Sequence, residues 1–207
     1  MNTKGYKTKL EERIKLIPAG KTFVANDFSD IASSRTIREL IRRMIGQGDI
    51  TRVLPGVYMR PLISELLDEQ VPADPEDVAY SIARANNWRI APSGNTALNK
   101  LGLSPQVPMA WTFVSDGPYT EKNVYGIPIV FKNVANRNIS GMSPVTLLVV
   151  QALKALGRDN VDELILHKIS EQLNEEDLKA ILRETERSTV WLRDAIMKIA
   201  CKRSLAC

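Results

Sequence analysis

Few residues in this 207-residue sequence are equipped for covalent chemistry, and they are scattered. His167 is the only histidine, so any Ser-His-Asp or Cys-His catalysis must pass through it. It sits mid-helix between Leu166 and Lys168, which suits a structural or surface role. Cys201 and Cys207 are the only cysteines. They are not a C-x2-C pair and His167 lies far upstream, so the spacing does not suit zinc. One disulfide closing a terminal tail would hold little together, and free thiols in a reducing compartment are expected. Glu175-Glu176-Asp177 falls in the first turn of a helix, where carboxylates favour the macrodipole and imply no metal. Ser93-Gly94 before a helix resembles an anion-binding turn, but without the lysine and glycine spacing of a phosphate-binding loop. The expectation is a chain that is not an enzyme, with no cofactor and no metal.

A second group is polar rather than reactive. Ser93, Asn95, Thr96, Asn99 and Gln106, with Asp116 and Lys132, can line a cleft beside a small sheet. Three roles suit such residues: a structural hydrogen-bond network, a partner-binding surface, or a nucleotide- or phosphate-binding cleft.

The densest charge pattern lies earlier. Ile37, Leu40, Ile41 and Met44 fall at i, i+3, i+4 and i+7, the buried stripe of a helix. Ser34, Arg35, Thr36, Arg38, Glu39, Arg42 and Arg43 take the other positions, which puts four arginines on one exposed arc. Eleven residues at about 1.5 Å each span roughly 16 Å, a length that enters a DNA major groove. Ser33-Ser34 supplies the cap and Gly46 and Gly48 the stop. Residues 50–53 and 57–59 then flank Leu54-Pro55-Gly56 as a hairpin whose strands carry Arg52 and Arg60.

These residues need a scaffold, and the first sixty residues predict one. Leu10, Ile14 and Ile17 mark a helix ended by Pro18-Ala19-Gly20. Thr22-Phe23-Val24 is a short strand. Asn26 or Asp27 caps a short helix that turns Phe28 and Ile31 inward. Helix, strand, short helix, basic helix and ribbon is the order of a winged helix-turn-helix. The DNA-contacting set is then Ser34, Arg35, Thr36, Arg38, Glu39, Arg42, Arg43, Arg52 and Arg60. A winged helix can also dock protein, and that alternative stays open.

Residues 61–75 read as a connector, with Leu62, Ile63, Leu66 and Leu67 forming a helical turn packed on a neighbour. Asp74-Pro75 starts a helix running to about residue 86. From residue 76 to 207 the expectation is one α+β domain. Strands fall at 89–91, 110–115, 123–125 and 127–131, Pro128 implying an edge strand or bulge. A short helix carries Ala97, Leu98 and Leu101. Helices from Ser143-Pro144, residue 161, Asn174 and Thr189 complete a bundle, the last with Trp191, Ala195 and Ile199 on one face.

Charge supports the division. Residues 1–60 hold twelve Lys+Arg against six Asp+Glu, net +6; the remainder holds sixteen against eighteen, net −2. Positive charge is therefore a property of the first module, as in a nucleic-acid-binding domain joined to something else. No apolar run approaches the roughly 20 residues of a membrane helix, and the charged start is no signal peptide. A cytoplasmic protein with no membrane partner is expected.

The sequence also resembles the AbiEi-type antitoxin family, the antitoxin and transcriptional-regulator members of type IV, or abortive-infection, toxin–antitoxin systems. The N-terminal resemblance lies in Ile17-Pro18-Ala19-Gly20, Asp27-Phe28, Ser33-Ser34, the helix at 36–45, Gly48-Asp49-Ile50, Arg52 and Pro55-Gly56-Val57-Tyr58. It continues through Arg89-Ile90-Ala91-Pro92-Ser93-Gly94, Ala97-Leu98-Asn99, Leu101-Gly102-Leu103-Ser104, Gln106-Val107-Pro108 and Ser115-Asp116-Gly117. The resemblance implies a winged helix that represses its own operon at an inverted-repeat operator. Monomers or weak dimers would pair on that DNA. It also implies a C-terminal domain that counters a nucleotidyltransferase-like toxin. A nucleotide-binding sensor or enzyme using the C-terminal cleft is the alternative.

Overall fold

The computed structural model describes residues 3–135 and 139–204. The chain is mixed α+β, and its described residues form eight α-helices and three small sheets. It divides into two compact units. One runs to Trp88 and takes in Asn123–Gly126; the other holds Arg89–Lys122 and the residues from Ile127 onward.

In the first unit, helix α1 (Thr3–Lys15) buries Leu10 and Ile14 one turn apart. The chain reverses at Gly20, whose φ of 83° favours glycine. Strand β1 (Thr22–Val24) is buried along its length. In place of the expected capped helix, Ala25–Phe28 forms a single 3₁₀ turn. Asp27 acts from inside that turn, accepting the Val24 N–H at 2.9 Å. Phe28 is buried against Phe23, ring edge to face at 5.7 Å. Helix α2 (Ser34–Gln47) starts at Ser33, whose hydroxyl accepts the Thr36 N–H. Ile37, Leu40, Ile41 and Met44 are all buried. The helix runs through Gly46 and closes at Gly48 in the left-handed conformation.

Strands β2 (Thr51–Leu54) and β3 (Val57–Met59) follow, joined through Pro55 and Gly56. The sheet order is β1-β3-β2, antiparallel throughout, with Thr22 opposite Met59 and Arg52 opposite Tyr58. An irregularity between Arg52 and Leu54 shifts the register.

Two expectations fail here. The helical turn expected at 62–67 is instead a hairpin of β4 (Ile63–Ser64) and β5 (Glu69–Gln70). Asp68 adopts φ 52° and its N–H bonds the Ser64 carbonyl, so turn chemistry overrides the apolar pattern. Leu66 is left 91% exposed rather than packed. The second concerns the boundary. Helix α3 (Pro75–Asn86), capped by Asp74 as the sequence predicts, packs on β1 and belongs to the first unit. The units divide at Trp88, not between 60 and 76, because α3 supplies hydrogen bonds that β1 lacks.

The second unit contains β6 (Ile90–Pro92), α4 (Asn95–Lys100) and β7 (Trp111–Ser115). Strands β8 (Thr120–Val124) and β9 (Ile127–Asn133) complete a sheet of order β6-β7-β9-β8. Strand β6 runs antiparallel to β7, and β9 parallel to it. The turn between β8 and β9 has Tyr125 at φ 52° and Gly126 at φ 84°, both positive as a two-residue hairpin turn requires. The edge position inferred from Pro128 is wrong, since β9 is interior. The ladder with β7 begins at Ile129, one residue past Pro128, so its missing N–H costs that ladder nothing.

Four helices follow: α5 (Pro144–Leu156), α6 (Glu163–Glu171), α7 (Glu175–Glu184) and α8 (Val190–Ser204). Ser143, Asp162 and Asn174 cap the first three. Their core is Val149, Leu153, Ile169, Ile181, Ile196 and Ile199, with Ala97 of α4 joining it. Of the predicted apolar face of α8, Ala195 and Ile199 are buried and Trp191 is half-buried. Among the described residues no helix is long and apolar enough to cross a membrane.

Candidate nucleic-acid interface

Helix α2 presents its cations on the side away from the core. Arg35, Arg38 and Arg42 lie at i, i+3 and i+7, all exposed, opposite the stripe of Ile37, Leu40, Ile41 and Met44. Ion pairing sorts the basic residues of the first unit. Arg13 meets Asp30 at 2.9 Å, Lys21 meets Asp77 at 3.4 Å and Arg84 meets Asp27 at 3.3 Å. On α2 itself Arg43 pairs with Glu39 one turn back, at 3.4 Å. Arg35, Arg38, Arg42 and Arg52 form no ion pair with any described residue. Ser34 is exposed in the first turn of α2, and Thr36 is half-buried with its hydroxyl 2.9 Å from that of Ser33.

Arg60 is placed differently from the other arginines of the predicted set. Its guanidinium donates to the carbonyls of Lys15, at 2.8 Å, and Ile17, at 2.6 Å. It closes the C-terminal end of α1, a structural task that the sequence position beside the hairpin does not reveal.

The second predicted group separates into a framework and a cleft. Asp116 accepts the Arg89 N–H at 2.8 Å and Thr96 accepts the Thr112 N–H at 2.8 Å. Asn99 donates to the carbonyls of Ser104 and Gln106. These three serve the fold. Ser93 is buried, and its hydroxyl has no hydrogen-bond partner among the described residues. Asn95, Gln106 and Lys132 do come together, with Gly94 and Thr112, around a cleft of about 470 Å³. Val107 and Met109 complete its wall. The sequence reading missed Thr112, whose signal is a hydroxyl within the otherwise apolar opening of β7.

Elsewhere the chemistry is spare. His167 is exposed and 3.6 Å from Glu171 on the same helix. Cys201 is an exposed free thiol, while Cys207 lies outside the described residues. No group of three or more His, Cys, Asp or Glu among the described residues could hold a metal ion.

No curated protein matches the chain. Residues 9–181 match DUF6088, a family of unknown function, and the chain belongs to that family.

Proposed function

We propose that residues 3–60 form a winged helix-turn-helix that binds double-stranded DNA, with α2 as the recognition helix and the β2–β3 hairpin as the wing. The observation that carries this reading is the unpaired arginine stripe Arg35, Arg38 and Arg42 on the exposed face of α2. Cations with intramolecular partners neutralise little phosphate, whereas unpaired ones release counterions on binding. The strand order β1-β3-β2 lays the hairpin beside β1, and Arg52 on β2 is free to meet the backbone. Glu39, held by Arg43, restrains that cation and leaves the other three to the groove.

The resemblance to AbiEi-type antitoxins extends this to an autorepressor that acts in the cytoplasm at an inverted repeat upstream of its own operon, two copies pairing on the DNA. The second unit then counters a nucleotidyltransferase-like toxin from the same operon. DNA binding rests on the arginine stripe, and the antitoxin role on the resemblance.

A gel shift with the DNA upstream of the chain's own gene, against random DNA of equal length, tests the first part. Tight binding with a clear sequence preference supports it, and equal affinity for both DNAs sinks it. Each arginine that neutralises a phosphate makes log K fall more steeply against log salt, by a slope of roughly one. Co-expression with a nucleotidyltransferase-like product of the neighbouring gene tests the second part. Growth restored by this chain supports it, and toxicity that persists with the antitoxin present overturns it.

A further inference from the structure

We infer that the cleft between the start of β7 and residues 106–109 is a binding site for a small organic phosphate of nucleoside monophosphate size. Its polar lining offers donors in excess. Lys132 carries three N–H groups, and the amides of Asn95 and Gln106 two each. Among the described residues no carboxylate lines the cleft, and Lys132 has no ion pair with any of them. A phosphate monoester, with three acceptor oxygens and up to two negative charges, complements that set better than a carboxylate does.

The walls are built rather than incidental. Asn99 holds the Gln106 carbonyl at 3.1 Å and the Ser104 carbonyl at 3.3 Å, while the Gln106 N–H donates to Ser104 Oγ at 3.3 Å. The floor is fixed by Thr112, which donates from its hydroxyl to the Ser93 carbonyl at 2.7 Å and from its N–H to Thr96 at 2.8 Å. Gly94 lies against that floor, where a Cβ would stand 3.3 Å from the Thr112 hydroxyl at a φ of 56°. The lip is apolar. Met109 is 95% exposed and Val107 81% exposed, a surface that a nucleobase or similar ring would cover. A volume of about 470 Å³ lies in the range of small-molecule pockets. The amide oxygens of Asn95 and Gln106 can accept from ring or sugar donors, which a bare phosphate lacks.

Titration calorimetry on the full chain tests this with adenosine 5′-monophosphate, guanosine 5′-monophosphate, adenosine and inorganic phosphate as separate probes. The expected result is saturable binding of at least one nucleotide, with adenosine and inorganic phosphate each weaker by roughly tenfold or more. Lys132→Met and Asn95→Ala, each checked for an unchanged melting temperature, should weaken the nucleotide roughly tenfold and a few-fold respectively. Absence of saturable binding by both nucleotides overturns the proposal. So does adenosine binding as tightly as its monophosphate, or nucleotide affinity unchanged in Lys132→Met. All of these readouts are made without DNA, so their failure leaves the operator reading standing, and the converse holds.

Discussion

The backbone N–H of Thr22 donates to Oδ2 of Asp77 at 2.9 Å, so a helix side chain occupies a place that a strand would otherwise take. Strand β1 is the edge of its sheet, with its inner side paired to β3. An exposed edge invites pairing with another chain, and α3 covers this one. Thr22 Oγ1 also lies 2.7 Å from Ser81 Oγ, and Arg84 donates to Ser81 at 3.0 Å and to Asp27 at 3.3 Å. Asp77→Ala leaves a buried N–H unsatisfied and should cost about 1–3 kcal/mol. Urea unfolding of the full chain measures it. A midpoint within error of wild type would show that the Asp77 bond to Thr22 adds nothing to the stability of the first unit.

Arginines of the same charge should behave differently on DNA. Arg38 and Arg42 sit on α2 and Arg52 on β2. Arg38→Ala should reduce the preference for operator over random DNA by about 1–3 kcal/mol. Arg52→Ala should weaken both DNAs alike and reduce the salt slope by about one. Competition gel shifts at two salt concentrations separate the two effects. Identical behaviour of both variants would count against a division into helix and wing.

Arg60→Ala makes the opposite prediction. Its two carbonyl partners at the end of α1 make it a stability residue. The variant should lose about 1–2 kcal/mol of stability while keeping the wild-type operator preference at a temperature where it stays folded. A loss of preference with no loss of stability would return Arg60 to the interface.

The fold was legible wherever local chemistry and periodicity agreed. The stripe at Ile37, Leu40, Ile41 and Met44, the Asp74-Pro75 start and the Asn174–Asp177 box all appear where the spacing puts them. What failed was decided by partners distant in sequence. Nothing near Pro128 reveals that its strand lies between two others, because that depends on pairing with residues 111–115. The assignment of α3 depends on packing against residues distant in sequence, of which the bond from Thr22 to Asp77 is one part. In the candidate sites, types and exposure were legible but pairing was not. Arg60 and Arg52 look equivalent in sequence, and only the proximity of Lys15 and Ile17 separates them. For Asp116 and Thr96 the sequence left a structural network, a partner surface and a ligand cleft open, and their backbone partners put both in the network.

The Asn174 capping box offers a local test of the second unit. Asn174 accepts the Asp177 N–H at 2.8 Å, and Asp177 accepts the Asn174 N–H at 3.2 Å. Asn174→Ala should lower stability by about 1 kcal/mol. Hydrogen exchange should localise the loss to the first turn of α7. Uniform loss across the bundle would mean that α7 opens only with the whole unit.

Glu184 predicts how that unit responds to acid. Its side chain is only 13% exposed, and its carboxylate accepts the Ser143 N–H at 2.7 Å, joining the end of α7 to the start of α5. Burial alone would raise its pKa. Hydrogen bonds from the Thr146 hydroxyl and from the Ser143 N–H and hydroxyl, with the nearby Arg183 charge, outweigh burial and hold it below the ordinary 4.5. The folded state therefore binds this proton less readily than the unfolded chain does. The contribution to stability is complete above the unfolded value of about 4.5 and is lost as pH falls through the lower folded value. Glu184→Gln should be less stable at neutral pH by about 2 kcal/mol, since the charge-assisted acceptor is gone. It should also decline less steeply than wild type below pH 4.5. Melting temperatures of both proteins from pH 7 downward check this. Parallel curves across the acid range would show that Glu184 titrates alike in the folded and unfolded chains.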